Sequence, residues 1–219
     1  MNRTFSIMRQ AQAMIAALLL LVMIPATVGA GTTADDVKKI VKKTKELYKG
    51  TKSAKITFTQ AGSGETVSGT LEYSSGNKFR LTLPEQTIVS NGTKTWTYIK
   101  ARNQVVINKA ATDGQITPND ILRSFPGDYT TTLDGSTTVG GKKVWKVKCS
   151  ASGDDKLGDI AKATLYIDKS TYRFKKISVT SPTLGTLNLT IKSANYNKTI
   201  ASSRFTFTAP KGAKVVDLT

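Results

Sequence analysis

The side chains that could do covalent or acid–base chemistry are few. The 219-residue chain has no histidine and one cysteine, Cys149. Without imidazole there is no Ser-His or Cys-His nucleophilic pair and no ordinary zinc or copper site. A lone thiol makes neither an internal disulfide nor a thiolate cluster. It ends the run "VWKVKC", where Trp145, Val147 and Cys149 alternate onto one face, which is the pattern of a buried, unreactive thiol. Two carboxylates suffice for a glycosidase. The candidates here are Asp113, Asp128, Asp134 and the pair Asp154-Asp155, all in turn-forming contexts where Asp ordinarily serves the turn. "DDKLGD" lacks the alternating ligands and terminal Glu of a calcium loop. Asn91, Asn188 and Asn197 match the glycosylation sequon, as a Thr-rich chain does by chance. The expectation is a protein that is not an enzyme and needs no cofactor and no metal.

Charge points to a partner instead. Lys and Arg number 32 against 15 Asp and Glu, a formal net charge of +17. Such an excess favours something negative: an anionic membrane face, a lipid headgroup or an acidic protein. Nucleic acid is set aside, because the lysines are spread over many segments and the chain reads as exported. In Met1 to Ala30, Arg3 and Arg9 lead into the apolar run Ala13–Val28, and Val28-Gly29-Ala30 suits cleavage after Ala30. The run is short for a membrane span. The expected organisation is a secretory signal over residues 1–30 and a single domain over 31–219, placed in the periplasm.

Of the elements that would carry these side chains, the first is a helix. Ala34 to Lys49 has helical spacing of Val37, Ile40, Val41, Leu47 and Tyr48, with a nearly all-Lys opposite face and Gly50 as a stop. Period-two patterns then dominate. Ile56, Phe58 and Gln60 share a face; so do Val67, Gly69, Leu71 and Tyr73. Phe79, Leu81 and Leu83 share another, as do Ala163, Leu165 and Ile167, and then Leu187, Leu189 and Ile191. Turn signals between them imply about ten or eleven strands in sequence-adjacent antiparallel pairs, a mainly β (α+β) fold with no βαβ rhythm. In "YRFKKISV" the parity slips, and a bulge at Lys175-Lys176 reconciles it. A short second helix is expected over Thr117–Phe125, with Ile121, Leu122 and Phe125 as its apolar stripe.

One hairpin makes a particular demand. In "SNGTKTWTYIKARNQVVI" the turn signal Asn91-Gly92 pairs Ser90 with Thr93 and Val89 with Lys94 if it forms a two-residue type I′ turn. Trp96, Tyr98 and Val89 then lie on one side, with Ile88 and Ile99 on the other. Both sides carry bulk, so both need covering.

These residues also carry a resemblance. "FTQ" at Phe58–Gln60, "GTLEY" at Gly69–Tyr73, "IVSNGTKTWTYIKARNQVVI", "TP" at Thr117-Pro118 and "RFTFTAPKGAKVVD" at Arg204–Asp217 occur in the order found in the periplasmic outer-membrane lipoprotein carrier (LolA-like) family, which the chain resembles. The resemblance implies an unclosed antiparallel β-barrel with a helical lid over a hydrophobic cavity. It implies a carrier of the acyl chains of lipoproteins, loaded by an inner-membrane lipoprotein-releasing ABC transporter and unloaded to an outer-membrane acceptor. A chaperone for another lipid or apolar ligand, or a sensor domain on the same scaffold, are the rival roles. The chain is expected to be a monomer, with an anionic membrane surface as a further partner. Phe58, Leu71, Phe79, Leu81, Trp96 and Tyr98 are the expected cavity wall. Val37, Ile40, Val41, Leu47, Ile121, Leu122 and Phe125 are the expected lid. On the resemblance, two departures are expected: Ser75 in the place of an Arg that latches the lid in the family, and no counterpart of the family's C-terminal extension after Asp217.

Overall fold

A computed structural model describes residues 34–62, 65–110, 129–151, 160, 162–181 and 185–219. The expected signal, the second helix with Ile121, Leu122 and Phe125, and Asp113, Asp128, Asp154 and Asp155 lie outside these residues.

Helix α1 spans Ala34–Lys49, as its periodicity predicts. Acidic Asp35 and Asp36 occupy its first turn and Lys49 its last, each sign where the helix dipole favours it. The Gly50 amide donates to the Glu46 carbonyl at 3.0 Å and closes the final turn. The strands are β1 (Ser53–Gly62), β2 (Glu65–Ser74), β3 (Lys78–Thr82), β4 (Gln86–Asn91), β5 (Lys94–Ile99), β6 (Gln104–Lys109), β7 (Tyr129–Val139), β8 (Lys142–Ala151), β9 (Lys162–Asp168), β10 (Phe174–Ser181), β11 (Gly185–Tyr196) and β12 (Lys214–Asp217). They form one unclosed sheet in the order β12-β6-β5-β4-β3-β2-β1-β11-β10-β9-β8-β7. Every pairing is antiparallel except that of β12, which returns beside β6 in the parallel sense.

Cross-strand partners share a face. The ladder therefore gathers the alternating apolar positions onto one inner side: Ile56 opposite Leu71, Leu71 opposite Leu81, Phe58 opposite Ile191, Ile177 opposite Leu165, and Leu165 opposite Val147. Together with Val37, Ile40 and Tyr48 of α1 these residues make a continuous core. The expected bulge is present. Phe174 faces Ile167 and Lys176 faces Tyr166, so Lys175 is the extra residue. A second bulge leaves Lys192 unpaired between Ile191 and Ser193.

The Asn91-Gly92 turn forms one position later than predicted. Asn91 and Lys94 end the strands, and Val89 pairs with Trp96 rather than with Lys94. Gly92 alone takes positive φ, 91°. Asn91 instead accepts the Thr93 and Lys94 amides on its Oδ1, both at 2.8 Å. A type I′ turn needs positive φ at both central residues; glycine at the first of them suits the II′ form. The slip moves each partner by two, so the facing of every side chain is preserved.

The outer side of β1–β6 is closed by the C-terminal segment. Its 3₁₀ turn Ser202–Phe205 packs on β3 and β4 and buries Phe205. Arg80 donates to the carbonyls of Arg204 (2.7 Å) and Thr206 (2.9 Å). Arg204 forks onto Glu72 at 2.9 and 2.5 Å, and Lys55 lies 3.3 Å from the same carboxylate. Burial of Glu72 works to raise its pKa, but the Arg204 and Lys55 hydrogen bonds outweigh it and hold the carboxyl below its usual range. A carboxylate that binds its proton less tightly when folded stabilises the fold above its unfolded pKa, and that contribution fades as pH falls through the lowered folded value. We expect Arg204→Gln to cost about 1–3 kcal/mol in urea unfolding at pH 7, because Glu72 is then buried with a weaker partner set. The difference from wild type should shrink at pH 3. A constant difference would show that the ion pair is not its source.

Candidate functional site

Among the described residues the inner face offers no reactive constellation and much apolar area. Phe58, Leu71 and Phe79 are buried on it, and Leu81 packs half-buried against them. Gly69, directly opposite Phe58, explains how the ring lies flat across the strand: a β-carbon there would stand 2.5 Å from Phe58 Cζ and 2.7 Å from Leu83 Cδ2. These four expected wall residues are thus brought together.

Trp96 and Tyr98 are not with them. Trp96 is opposite Val89, Val89 opposite Arg80, and Arg80 opposite Glu72, which puts all four on the outer side. The Tyr98 ring lies 6.0 Å from that of Phe207, and its hydroxyl donates to Asn103 Oδ1 at 3.1 Å. Their place in the wall is corrected by alternation itself: at the hairpin's parity, it is Ile88, Thr97 and Ile99 that face inward. The bulk on the outer side serves the C-terminal segment.

Helix α1 roofs the inner face. Val37 and Ile40 are buried against it and Val41 packs half-buried on the core. Leu47 is half-buried and outside the core cluster; its carbonyl accepts from Thr51 Oγ1 at 2.7 Å. The stripe runs instead through Thr44 and Tyr48, both with no exposed surface. Thr44 Oγ1 has no hydrogen-bond partner among the described residues.

The helix's C-terminal end is held by the β9–β10 turn. Tyr48 stacks on Phe174 at 4.6 Å and meets Tyr196 edge-on at 6.2 Å. The Phe174 amide donates to the Tyr48 hydroxyl at 3.0 Å. Burial, aided by the Tyr196 hydroxyl beside it, pushes the Tyr48 pKa well above that of an ordinary phenol. Arg173 Nη1 donates to Thr51 Oγ1 at 2.8 Å and reaches the Leu47 carbonyl at 3.5 Å, a cation at a helix C-terminus. Lys43 caps the Tyr172 ring at 4.1 Å, and Tyr172 itself sits at φ 57°, where only a fixed turn holds a non-glycine residue. Ser75 donates to the Lys52 carbonyl at 3.3 Å. Arg173 is not legible in the sequence as a lid contact, because it lies far along the chain and outside any periodic pattern.

Among the described residues the remaining reactive types are in structural use. Cys149 is buried on the inner face, and burial pushes its thiol up to about 12. Asp134 bridges Lys146 (2.8 Å) and Lys148 (3.0 Å). Asn91, Asn188 and Asn197 spend their side chains on the turn, on Ser178 Oγ and on the Lys52 amide. Among the described residues no three metal-ligating side chains come together. What the site can do is bury hydrocarbon.

The family model for "Outer membrane lipoprotein carrier protein LolA" matches residues 49–208. The chain belongs to the LolA family. No curated protein matches it by sequence. Among solved structures, an uncharacterized conserved protein from Thermus thermophilus superposes with TM-score 0.55 at 16% identity, covering 82% of this chain and 98% of that one. LprF from Mycobacterium bovis gives 0.53 at 14%, covering 82% and 98%. A LolA superfamily protein from Nitrosomonas europaea gives 0.40 at 16%, covering 78% and 97%. The LolA match begins at the last residue of α1, so nearly all of the roof helix and all of β12 lie beyond it.

The unpaired Thr44 hydroxyl costs the closed roof of this LolA member about 1–3 kcal/mol. Thr44→Val is therefore expected to stabilise the protein by about 1 kcal/mol in thermal unfolding. Tyr48→Phe, which strips the Phe174 amide of its acceptor, should cost about as much and raise hydrogen exchange across α1. An unchanged exchange pattern in Tyr48→Phe would mean the stack alone holds the helix.

Proposed function

We propose that this chain is a periplasmic carrier that shelters the acyl chains of lipoproteins between an inner-membrane lipoprotein-releasing ABC transporter and an outer-membrane acceptor. The observation that carries the reading is the apolar inner face of Phe58, Leu71, Phe79 and Leu81, roofed by a helix whose own stripe occupies it. A sixteen-carbon chain exposed to water costs about 12 kcal/mol at ~0.8 kcal/mol per CH₂, so unaided transit is closed to it. A carrier must also let go. A roof that refills its site does this, because cargo has to displace it and net affinity falls by the cost of that displacement. Val37, Ile40 and Val41 are the displaceable contacts of α1, with Ile121, Leu122 and Phe125 as further lid residues. No helix among the described residues is long and apolar enough to cross a membrane, which accords with a carrier that moves between two of them.

The excess of lysine fits brief, salt-sensitive contact with anionic membrane surfaces. Cargo other than lipoproteins is the second reading: none of the inner-face contacts selects a protein over a free lipid.

Depletion of the protein in its native cell, followed by membrane fractionation, tests the reading. Acylated lipoproteins are expected to accumulate at the inner membrane. Normal arrival at the outer membrane would remove the lipoprotein assignment. Free lipid co-purifying with the protein in native mass spectrometry would then favour the second reading.

A further inference from the structure

A concavity of about 420 Å³ opens beside the C-terminal end of α1, lined among others by Lys142, Asp168, Arg173, Lys175, Ser193 and Tyr196. Two bulges meet there: Lys175 is the extra residue of β10, and Lys192, next to Ser193, that of β11. Bulges bend a strand and re-aim its side chains, and they recur beside binding sites.

The charge gathered there is unbalanced. Three cations face one carboxylate. That carboxylate is already engaged: Asp168 Oδ1 accepts from the Ser170 amide (2.8 Å), Ser170 Oγ (2.6 Å) and the Thr171 amide (3.0 Å). Among the described residues neither Lys142 nor Lys175 has an ion-pair partner. Like charges held around a hollow repel, and an anion between them relieves that repulsion. Arg173 is pre-set for one. Its guanidinium lies over Tyr196 at 4.0 Å and Tyr48 at 4.9 Å, and its described hydrogen bonds engage Nη1 alone. A planar fork fixed in this way suits the oxygens of a phosphate.

From this geometry we propose that the concavity is a binding site for a phosphate group, carried as a monoester on an amphipathic ligand or free in solution. Its floor includes Phe174 and Ile191 of the apolar core, so a phosphate seated here has hydrocarbon-compatible surface directly beside it. That the bearer is a lipid rests on the carrier reading; the phosphate site does not.

Calorimetric titration at low salt separates the two. The probes are dihexanoyl phosphatidic acid, dihexanoylglycerol with the same tails, and inorganic phosphate. The proteins are wild type, Lys142→Gln/Lys175→Gln and Arg173→Lys, each checked for a cooperative thermal transition. Phosphatidic acid is expected to bind wild type at least tenfold more tightly than the double variant, while dihexanoylglycerol binds both alike. Arg173→Lys, which keeps the charge and loses the fork, should fall between them. Competition by inorganic phosphate would show that the free anion enters the same site; lipid binding without competition would make the group a headgroup. Phosphate binding that the double variant loses, with no binding of either lipid, would uphold the site and count against the carrier. Equal affinity of phosphatidic acid for wild type and double variant, or no binding of either phosphate probe, would overturn the proposal.

Discussion

A β-strand sends alternate side chains to opposite faces, and antiparallel pairing keeps facing partners on one side. Carried across eleven antiparallel strands, this rule spreads the apolar half of each onto a single surface. That surface is too large and too continuous to leave in water. The sheet stays open at β7 and β12, so it cannot hide its inner face by closing on itself. One helix is laid over it instead. The outer side repeats the problem locally, where Val89, Val105 and the hairpin aromatics face away from the core, and the C-terminal segment is the answer there. Roof and strap thus solve the same constraint on two sides of one sheet.

Local signals are enough for most of this. The helix Ala34–Lys49, the inner-facing sets on β1, β2, β3 and β9, and the bulge at Lys175 all follow from periodicity and its one slip. Two things are not local. The partner of the outer hairpin face lies about a hundred residues downstream, in a segment with too little regular structure for any period to show. Bulk alone therefore points Trp96 and Tyr98 toward the cavity wall, although their own parity with Val89 places them outside. The clasp on α1 is invisible for a related reason. Arg173 and Tyr172 act from a tight turn, where position depends on backbone geometry such as a tyrosine at φ 57° rather than on alternation. The Asn91 turn shows a smaller discrepancy: a dipeptide names a hairpin but not which of its residues takes the left-handed conformation.

Glu72 shows how the two layers are linked. It sits on the outer side of β2, next in sequence to Leu71 and Tyr73 of the inner face. Holding it with Lys55 and Arg204 fixes the strand from behind while the core packs in front. The polar network of Glu72, Lys55 and Arg204 is therefore where the strap is secured.

Grip and release then come down to relative magnitudes. Burying a Val or Ile side chain is worth about 1.5–3 kcal/mol, so Val37 and Ile40 together hold the roof with roughly 3–6 kcal/mol of apolar burial. A single sixteen-carbon chain offers about 12 kcal/mol if fully sheltered. On the proposed carrier reading, cargo would displace the roof only by a margin smaller than its own transfer energy, and a receiving membrane that buries the chain completely would reclaim it. The polar clasp sits at one end of α1, on Tyr48 and Arg173, while Val37 and Ile40 pack into the apolar core toward the other end. On the proposed carrier reading, an opening motion in which the N-terminal half lifts first, pivoting on the clasped end, would break apolar contacts that cargo replaces in kind. Lifting the clasped end first would strip the Phe174 amide and the Arg173 guanidinium of acceptors that hydrocarbon cannot supply.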